Sequence, residues 1–175
     1  MARHTEALHH PMSISRKTAY AVVLVAIGVA LAPYTSFPIG IAKINPTQHF
    51  INVLSAVILG PWWALLNATV VAVIRNALGV GTLLAFPGGM IGAVLAGVLY
   101  AWTRKVPMAA AGEIAGTGFV APVVSAAVVA PVFMGKAIPM LALLPSFLAS
   151  TVAGSLLAVM FIRLLVRTEM IDLGD

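Results

Sequence analysis

The sequence contains no cysteine and few charged residues. A chain without cysteine forms neither disulfides nor thiolate metal sites. Only 9% of its 175 residues are charged and five are acidic, so a pair of catalytic carboxylates is not apparent. The phosphate-binding GxxxxGK[ST] loop, the HExxH zinc motif and the serine nucleophile elbow are missing as well. Nothing therefore predicts an enzyme or ATP hydrolysis, and uphill transport would need a partner or an ion gradient.

Apolar residues, in contrast, are abundant. They make up 61% of the chain and the mean hydropathy is +1.06, which exceeds what a soluble domain of this size can bury. Runs of membrane-spanning length predict an all-α polytopic membrane protein with six transmembrane helices in one compact bundle. The predicted helices cover residues 16–32, 46–60, 61–78, 87–103, 107–134 and 139–166. The second is short for a membrane span, at about 15 residues of ~1.5 Å each.

The basic residues predict how this bundle is oriented. A net charge of +5 in a membrane protein usually reflects topology rather than nucleic-acid binding. Only Lys43 and Lys136 fall in the loops of one side, with Arg75 near that end of helix three. The other side carries Arg3, Arg16, Lys17, Arg104, Lys105, Arg163 and Arg167. We therefore expect both termini to be cytoplasmic, with tails at residues 1–14 and 169–175 flanking the six-helix domain at 15–168.

The N-terminal segment imitates a secretory signal, because a basic pair at 16–17 precedes an apolar run that ends in Ala30-Leu-Ala32. Pro33 follows the apparent cleavage point and disfavours cleavage, so we expect an uncleaved first helix. We expect that helix to be capped by Ser15. The tail before it is predicted to be disordered rather than metal-binding, since no acid or cysteine is spaced to assist His4, His9 and His10.

Small residues on the first helix predict close helix packing. Ala26 and Ala30 form one small-xxx-small pair, and Gly28 and Ala32 form another on the neighbouring ridge. Such spacing allows a second helix to approach closely, either within the chain or in a partner.

The polar stretch from Lys43 to Asn52 stands out at the start of the second helix. Asn45 is a good helix N-cap, and Pro46 is tolerated at the first helical position. Gln48, His49 and Asn52 then share one helix face with the cap. His49 can exchange hydrogen bonds with a polar heterocycle or can satisfy backbone groups near the cap. We predict that Gln48, His49 and Asn52 bind a ligand.

Polar residues also gather at the end of the third helix. Arg75 can extend to the membrane interface, or pair with a carbonyl or anionic group in a pocket. Asn76 can contact a ligand or cap the helix against Gly79. Thr82 and Phe86 lie in the following loop, where Phe86 can stack on an aromatic ligand.

Glu113 is the acid that falls within a predicted membrane helix. A buried carboxylate must be neutral, paired or facing water. The sequence favours a structural pairing near the cytoplasmic side, with Arg104 or the start of helix five, while ligand contact remains the other interpretation.

Several motifs occur together in order along residues 16–166. They are Gln48-His-Phe-Ile-Asn52, Leu59-Gly-Pro-Trp62, Arg75-Asn76, Gly79–Thr82, Leu84-Ala-Phe-Pro-Gly88 and Gly112-Glu-Ile-Ala-Gly-Thr-Gly118. In this pattern the chain resembles the ThiW family, the substrate-binding S components of energy-coupling factor (ECF) transporters for a thiamine thiazole precursor.

The resemblance implies a six-helix S-component fold in the cell membrane of a prokaryote. It implies an outward-facing pocket under the loop between helices one and two, and a ligand such as hydroxyethylthiazole. It also implies a transmembrane T subunit, contacted through Ala26 and Ala30, and two cytoplasmic ATPases. No cofactor or metal is expected. The alternatives are an S component for another vitamin or precursor, such as the thiamine pyrimidine, and a non-transporting membrane scaffold.

Overall fold

The computed structural model describes residues 12–39 and 42–171. The described chain is 82% helical, with six helices and one small hairpin. The elements, in chain order, are α1 (Ile14–Thr35), β1 (Phe37–Ile39), β2 (Ala42–Ile44), α2 (Pro46–Leu59), α3 (Pro61–Ala77), α4 (Ala85–Thr103), α5 (Val106–Phe133) and α6 (Met140–Arg167). The three histidines of the N-terminal tail and residues 172–175 of the C-terminal one lie outside this description.

Four of the six helices are long and apolar enough to cross a membrane: α1, α4, α5 and α6. The other two are shorter, with 14 residues in α2 and 17 in α3. At ~1.5 Å per residue these measure about 21 and 25 Å, less than a hydrocarbon core of ~30 Å. The expectation that α2 is short is confirmed, and α3 shares this property.

The short α2 forms the centre of the bundle. It contacts α1, α3, α4, α5 and α6, and none of its residues is exposed. Ile51, Val53, Leu54 and Ala56 pack into the main apolar core. A helix that packs against neighbours over most of its surface can carry polar residues at its start, because other helices meet them there.

The connection between α1 and α2 differs from the predicted loop at residues 33–43. Helix α1 continues through Pro33 to Thr35, and Ser36 N donates to Ala32 O at 3.0 Å. The chain then turns back in an antiparallel hairpin, in which Phe37 faces Ile44 and Pro38 faces Lys43. The cap of α1 is Ser13, whose side chain accepts from Arg16 N, so the expectation for Ser15 was wrong.

Helix α5 is not the regular helix that the sequence predicted. Gly116–Val120 and Ser125–Phe133 are π-helical, and a short α-helical stretch at Ala121–Val124 separates them. Pro122 and Pro131 lack the N–H of the regular i→i−4 ladder, which is a known cause of such widened turns. These turns alter which residues of α5 face the bundle.

Helices α4 and α5 approach each other through glycines. A Cβ built on Gly116 would lie 2.8 Å from Gly92 Cα, and one on Gly112 would lie 2.7 Å from the backbone carbon of Leu95. Side chains at these positions would separate the helices. The close contact brings the first half of α5, which carries Glu113 and Thr117, against α4.

Candidate functional site

A cavity lies where the hairpin, the start of α2, the end of α3, the start of α4 and α6 meet. About 450 Å³ of space lies between its walls, open mouth included, and within it the centre of a water molecule can occupy about 30 Å³. The lining residues are Lys43, Asn45, Gln48, His49, Arg75, Thr82, Leu84, Ala85, Gly88, Thr117, Ser146, Phe147 and Ser150. They combine donors, acceptors and one aromatic ring, as sites for polar heterocycles do.

Asn45 fixes the start of α2 at this cavity. Its Oδ1 accepts from Gln48 N at 2.8 Å, which is the predicted N-cap bond, and Pro46 occupies the first helical position. Its Nδ2 donates to Ser36 Oγ at 2.6 Å. Its backbone N donates to Ser150 Oγ on α6 at 2.8 Å. One side chain and its backbone therefore connect the hairpin, α2 and α6.

His49 pairs with Glu113 beneath the cavity. Nδ1 of His49 lies 2.7 Å from Glu113 Oε1, with 6% of the histidine and 0% of the glutamate exposed. A carboxylate at Nδ1 holds the ring proton there and leaves Nε2 as the free nitrogen. His49 also lines the cavity. This geometry offers a ligand one oriented imidazole nitrogen.

Two further side chains hold the same carboxylate. Asn52 Nδ2 donates to Glu113 Oε1 at 3.1 Å and to Gly89 O at 3.0 Å. Thr117 Oγ1 lies 2.9 Å from Oε1 and 2.7 Å from Gly88 O, and its single proton serves one of these at a time. The prediction that Glu113 has a structural pairing is thus supported, but its partner is His49 rather than Arg104.

Glycines make the room for this buried cluster. A Cβ on Gly92 of α4 would lie 2.6 Å from Glu113 Oε1, and one on Gly154 of α6 would lie 2.8 Å from the Cβ of His49. Non-bonded atoms do not approach a Cβ this closely, so a larger residue at either glycine would displace His49 or Glu113. The polar cluster therefore depends on glycine at position 92 of α4 and at position 154 of α6.

Arg75 approaches the cavity from the end of α3. It is only 2% exposed, so its guanidinium is enclosed by the protein. Nη1 donates to Gln48 Oε1, and Nη2 donates to Ser36 Oγ at 3.3 Å. Nε is buried and has no hydrogen-bond partner in the described part of the chain. There, the guanidinium is held by neutral groups alone.

The predicted ligand residues are distributed unevenly around the cavity. Gln48, His49, Arg75 and Thr82 line it. Asn52 and Glu113 lie beneath His49 and support it. Asn76 and Phe86 are not among the lining residues; Asn76 Nδ2 instead donates to Ala72 O at 2.8 Å and to Thr82 O at 3.2 Å, which holds the loop after α3.

The sequence did not single out the wall formed by α6. Phe147 supplies the aromatic ring that was expected from Phe86, and Ser146 and Ser150 add hydroxyl groups. Their spacing is the available signal, because positions 146, 147 and 150 share one helix face just after Pro145. Among the described residues no cluster of three His, Cys, Asp or Glu side chains suited to a metal ion is present.

A second, larger hollow of about 1650 Å³ lies on the outside of the bundle. It runs between α1, the start of α2 and the last half of α6, and its lining is mainly apolar, including Leu31, Phe50 and Phe161. Such surfaces face lipid or partner helices in membrane proteins. It lacks the converging polar groups of the first cavity.

Comparison with known proteins gives one family and one fold. The family described as thiamine-precursor transporter protein (ThiW) matches residues 18–168. A solved structure of the S component of a bacterial ECF transporter is similar, with a TM-score of 0.74 and 17% sequence identity over 89% of this chain and 98% of that one. At this identity the likeness concerns the fold alone. No curated protein sequence matches.

Proposed function

This chain belongs to the ThiW family of thiamine-precursor transporter proteins, and from that premise we propose that it is the substrate-binding S component of an ECF importer. The substrate is a thiazole precursor of thiamine, hydroxyethylthiazole or a close relative, captured from the outer face. A transmembrane T subunit and two cytoplasmic ATPases complete the transporter and supply the energy.

Family and fold support the general part of this proposal. Membership of the family makes the chain a multi-pass membrane transport protein rather than an enzyme. The overall fold is similar to an ECF S component. The finer parts, which are the thiazole, the subunit partners and the prokaryotic cell membrane with both termini in the cytoplasm, are our proposals.

The cavity beneath the hairpin is the observation that carries the proposal. Its imidazole, its amide and hydroxyl groups and the ring of Phe147 suit a small, partly apolar heterocycle. In our proposal His49 and Gln48 bind the polar atoms of the ligand, and Arg75 and Thr82 form the opposite wall. Asn52 and Glu113 act beneath them, by orienting His49. Lys43 of the hairpin borders the site.

Ligand binding by the purified protein tests this proposal. Small molecules that co-purify in detergent are identified by native mass spectrometry, and hydroxyethylthiazole is then titrated. We expect a Kd below about 1 µM. The His49→Ala protein should bind at least about tenfold more weakly, because a hydrogen bond in a buried site is lost. Tyr34→Ala, a change at an aromatic residue that is 85% exposed, is the control and should leave the Kd unchanged.

The other outcomes identify the alternatives. Binding of the thiamine pyrimidine in preference to the thiazole would assign an S component with a different ligand. No binding of any thiazole, pyrimidine or vitamin would favour the membrane scaffold, whose polar cluster ties helices together.

A further inference from the structure

Within the described residues, Arg75 is a buried cation whose hydrogen-bond partners are neutral. A guanidinium stays protonated in proteins, and its charge is costly within a membrane domain unless an opposite charge compensates it. The groups that meet Arg75 are the side-chain oxygens of Gln48 and Ser36, which carry no charge. Nε is buried and has no hydrogen-bond partner among the described residues. In that part of the chain, the hydrogen-bonding capacity of Arg75 is therefore only partly used.

The acids of the described chain do not provide the missing charge. Within residues 12–39 and 42–171 they are Glu113 and Glu169. Glu113 is engaged by His49, Asn52 and Thr117 through Oε1, and it is not part of the cavity lining. Glu169 is exposed just beyond the C-terminal end of α6. The cavity meets α6 near its other end, at Ser146–Ser150.

A second cation lies on the same cavity. Lys43, an exposed residue of β2, lines it together with Arg75. Among residues 12–39 and 42–171, the lining thus contains two side chains that are cationic at neutral pH and no acid. A concave site lined by one sign of charge concentrates ligands of the opposite sign. The planar fork of an arginine also matches the two oxygens of a carboxylate or a phosphate.

We propose that the ligand of this cavity carries an anionic oxygen group, a carboxylate or a phosphate, that binds Arg75 with assistance from Lys43. This inference rests on the proposed function, since it specifies the chemistry of the ligand at that site. The heterocycle lies toward His49 and Phe147, and the anionic group lies toward the end of α3. The preferred precursor is then an acidic thiazole, which binds more tightly than the neutral alcohol.

A ligand series on the wild-type protein tests the charge without changing the fold. The Kd is measured by titration calorimetry for thiazoles that differ only in the side chain: carboxylate, carboxamide, phosphate monoester and hydroxyethyl. We expect the carboxylate or the phosphate to bind at least about tenfold more tightly than the carboxamide and the hydroxyethyl compound. The tighter of the two anions identifies the group. Equal affinity for the carboxylate and the carboxamide, with no gain for the phosphate, would overturn the inference.

Variants locate the charge in the protein. Arg75→Gln should abolish the preference for the anion, so that the carboxylate and the carboxamide bind with the same Kd, and a cooperative melting transition in detergent shows that the protein is folded. Arg75→Lys should retain part of the preference. Arg163→Gln, at an exposed residue of α6, is the matched control. If the Arg75→Gln protein does not fold, the inference is tested by the ligand series on the wild-type protein and by Lys43→Gln, which should reduce the preference for the anion. An undiminished preference in folded Arg75→Gln would overturn the assignment to Arg75.

This test separates the inference from the proposed function. If the neutral thiazole binds as tightly as the anionic ones, the anion site is wrong and the thiazole transporter stands. If anionic compounds without a thiazole ring bind as tightly as the acidic thiazoles, the anion site stands and the thiazole assignment falls.

Discussion

At the scale of single residues, the pair of His49 and Glu113 determines what the cavity can recognise. The carboxylate is fully buried and holds Nδ1 of the ring at 2.7 Å. Fixing one nitrogen of an imidazole also fixes the direction and the hydrogen-bonding role of the other. Glu113 is therefore a positioning residue in our proposal, acting on the ligand through His49.

Replacing Glu113 by Gln should weaken ligand binding by about tenfold, because a charged hydrogen bond to the ring becomes a neutral one. A double-mutant cycle with His49→Ala gives the readout. In the His49→Ala background the same Glu113→Gln change should leave the Kd nearly unaltered. Glu169→Gln, at the exposed acid beyond α6, is the control. An equal loss in both backgrounds would mean that Glu113 does not act through the histidine.

Much of this chemistry was predictable from the sequence, but its pairing was not. Helical periodicity alone placed Gln48, His49 and Asn52 on one face and identified Asn45 as the cap. It could not place Glu113 beside them, since the rotation of α5 depends on its glycine contacts with α4. Counting along the chain pointed to Arg104 as the partner instead.

At the scale of secondary structure elements, Asn45 connects three parts of the fold. As the cap of α2 it accepts from Gln48 N, and as a donor it reaches Ser36 beside the hairpin. Its backbone N reaches Ser150 on α6. The side chain accepts in the bond that caps α2 and donates in the bond to Ser36, and substitutions at position 45 affect these two bonds differently.

Asn45→Asp should keep the cap, and its second carboxylate oxygen can accept a hydrogen bond from the Ser36 hydroxyl, whereas Asn45→Ala should lose both bonds. A lost cap costs about 1 kcal/mol, so the Ala protein should have the lower melting temperature in detergent. The Ala protein should also bind ligand more weakly than the Asp protein, since no side chain at position 45 then holds Ser36. Thr18→Ala, at an exposed residue that bonds only within α1, is the control. Equal stability of the Ala and Asp proteins would contradict a capping role.

The elements also show why sequence patterns failed at particular places. Pro33 predicted the end of α1, but so near the end of a helix one missing N–H is tolerated, and the helix continues to Thr35. The π-helical turns of α5 left no mark on its apolar sequence apart from Pro122 and Pro131. The wall of α6 was missed because serines in an apolar helix are also ordinary packing residues.

At the scale of the whole molecule, the two ridges of α1 have separate surroundings. Gly28 and Ala32 are buried, and a Cβ on Gly28 would lie 3.2 Å from Val71 of α3. Ala26 and Ala30, on the neighbouring ridge, are exposed on the surface of the bundle. The small residues of the inner ridge thus serve packing within the chain, and those of the outer one are available to a partner helix.

Ala30→Leu and Ala26→Leu should reduce co-purification of the T subunit and the ATPases from membranes in which all subunits are expressed. A larger side chain on this ridge prevents the close approach that small residues permit. Ligand binding by the isolated chain should not change. Ala101→Leu, at an exposed position of α4, is the control. Full assembly with both α1 variants would place the partner contact elsewhere.

The absence of cysteine allows a direct test of the proposed orientation. Single cysteines at Lys136, between α5 and α6, and at Lys105, between α4 and α5, should lie on opposite sides of the membrane. A membrane-impermeant maleimide added to intact cells should label Lys136→Cys and should label Lys105→Cys only after lysis. The reverse pattern would invert the topology and place the cavity on the cytoplasmic side.

Because α2 is surrounded by the other five helices, it does not have to match the thickness of the bilayer. Hydrophobic mismatch acts on helices that touch lipid, and these respond by tilting or by deforming the membrane around them. In this protein the outer helices, such as α1 and α6, would make that adjustment. Helix α2, which carries Asn45, Gln48 and His49, keeps its position relative to its neighbours. The same binding cavity can thus be maintained in membranes whose lipid composition changes with growth conditions.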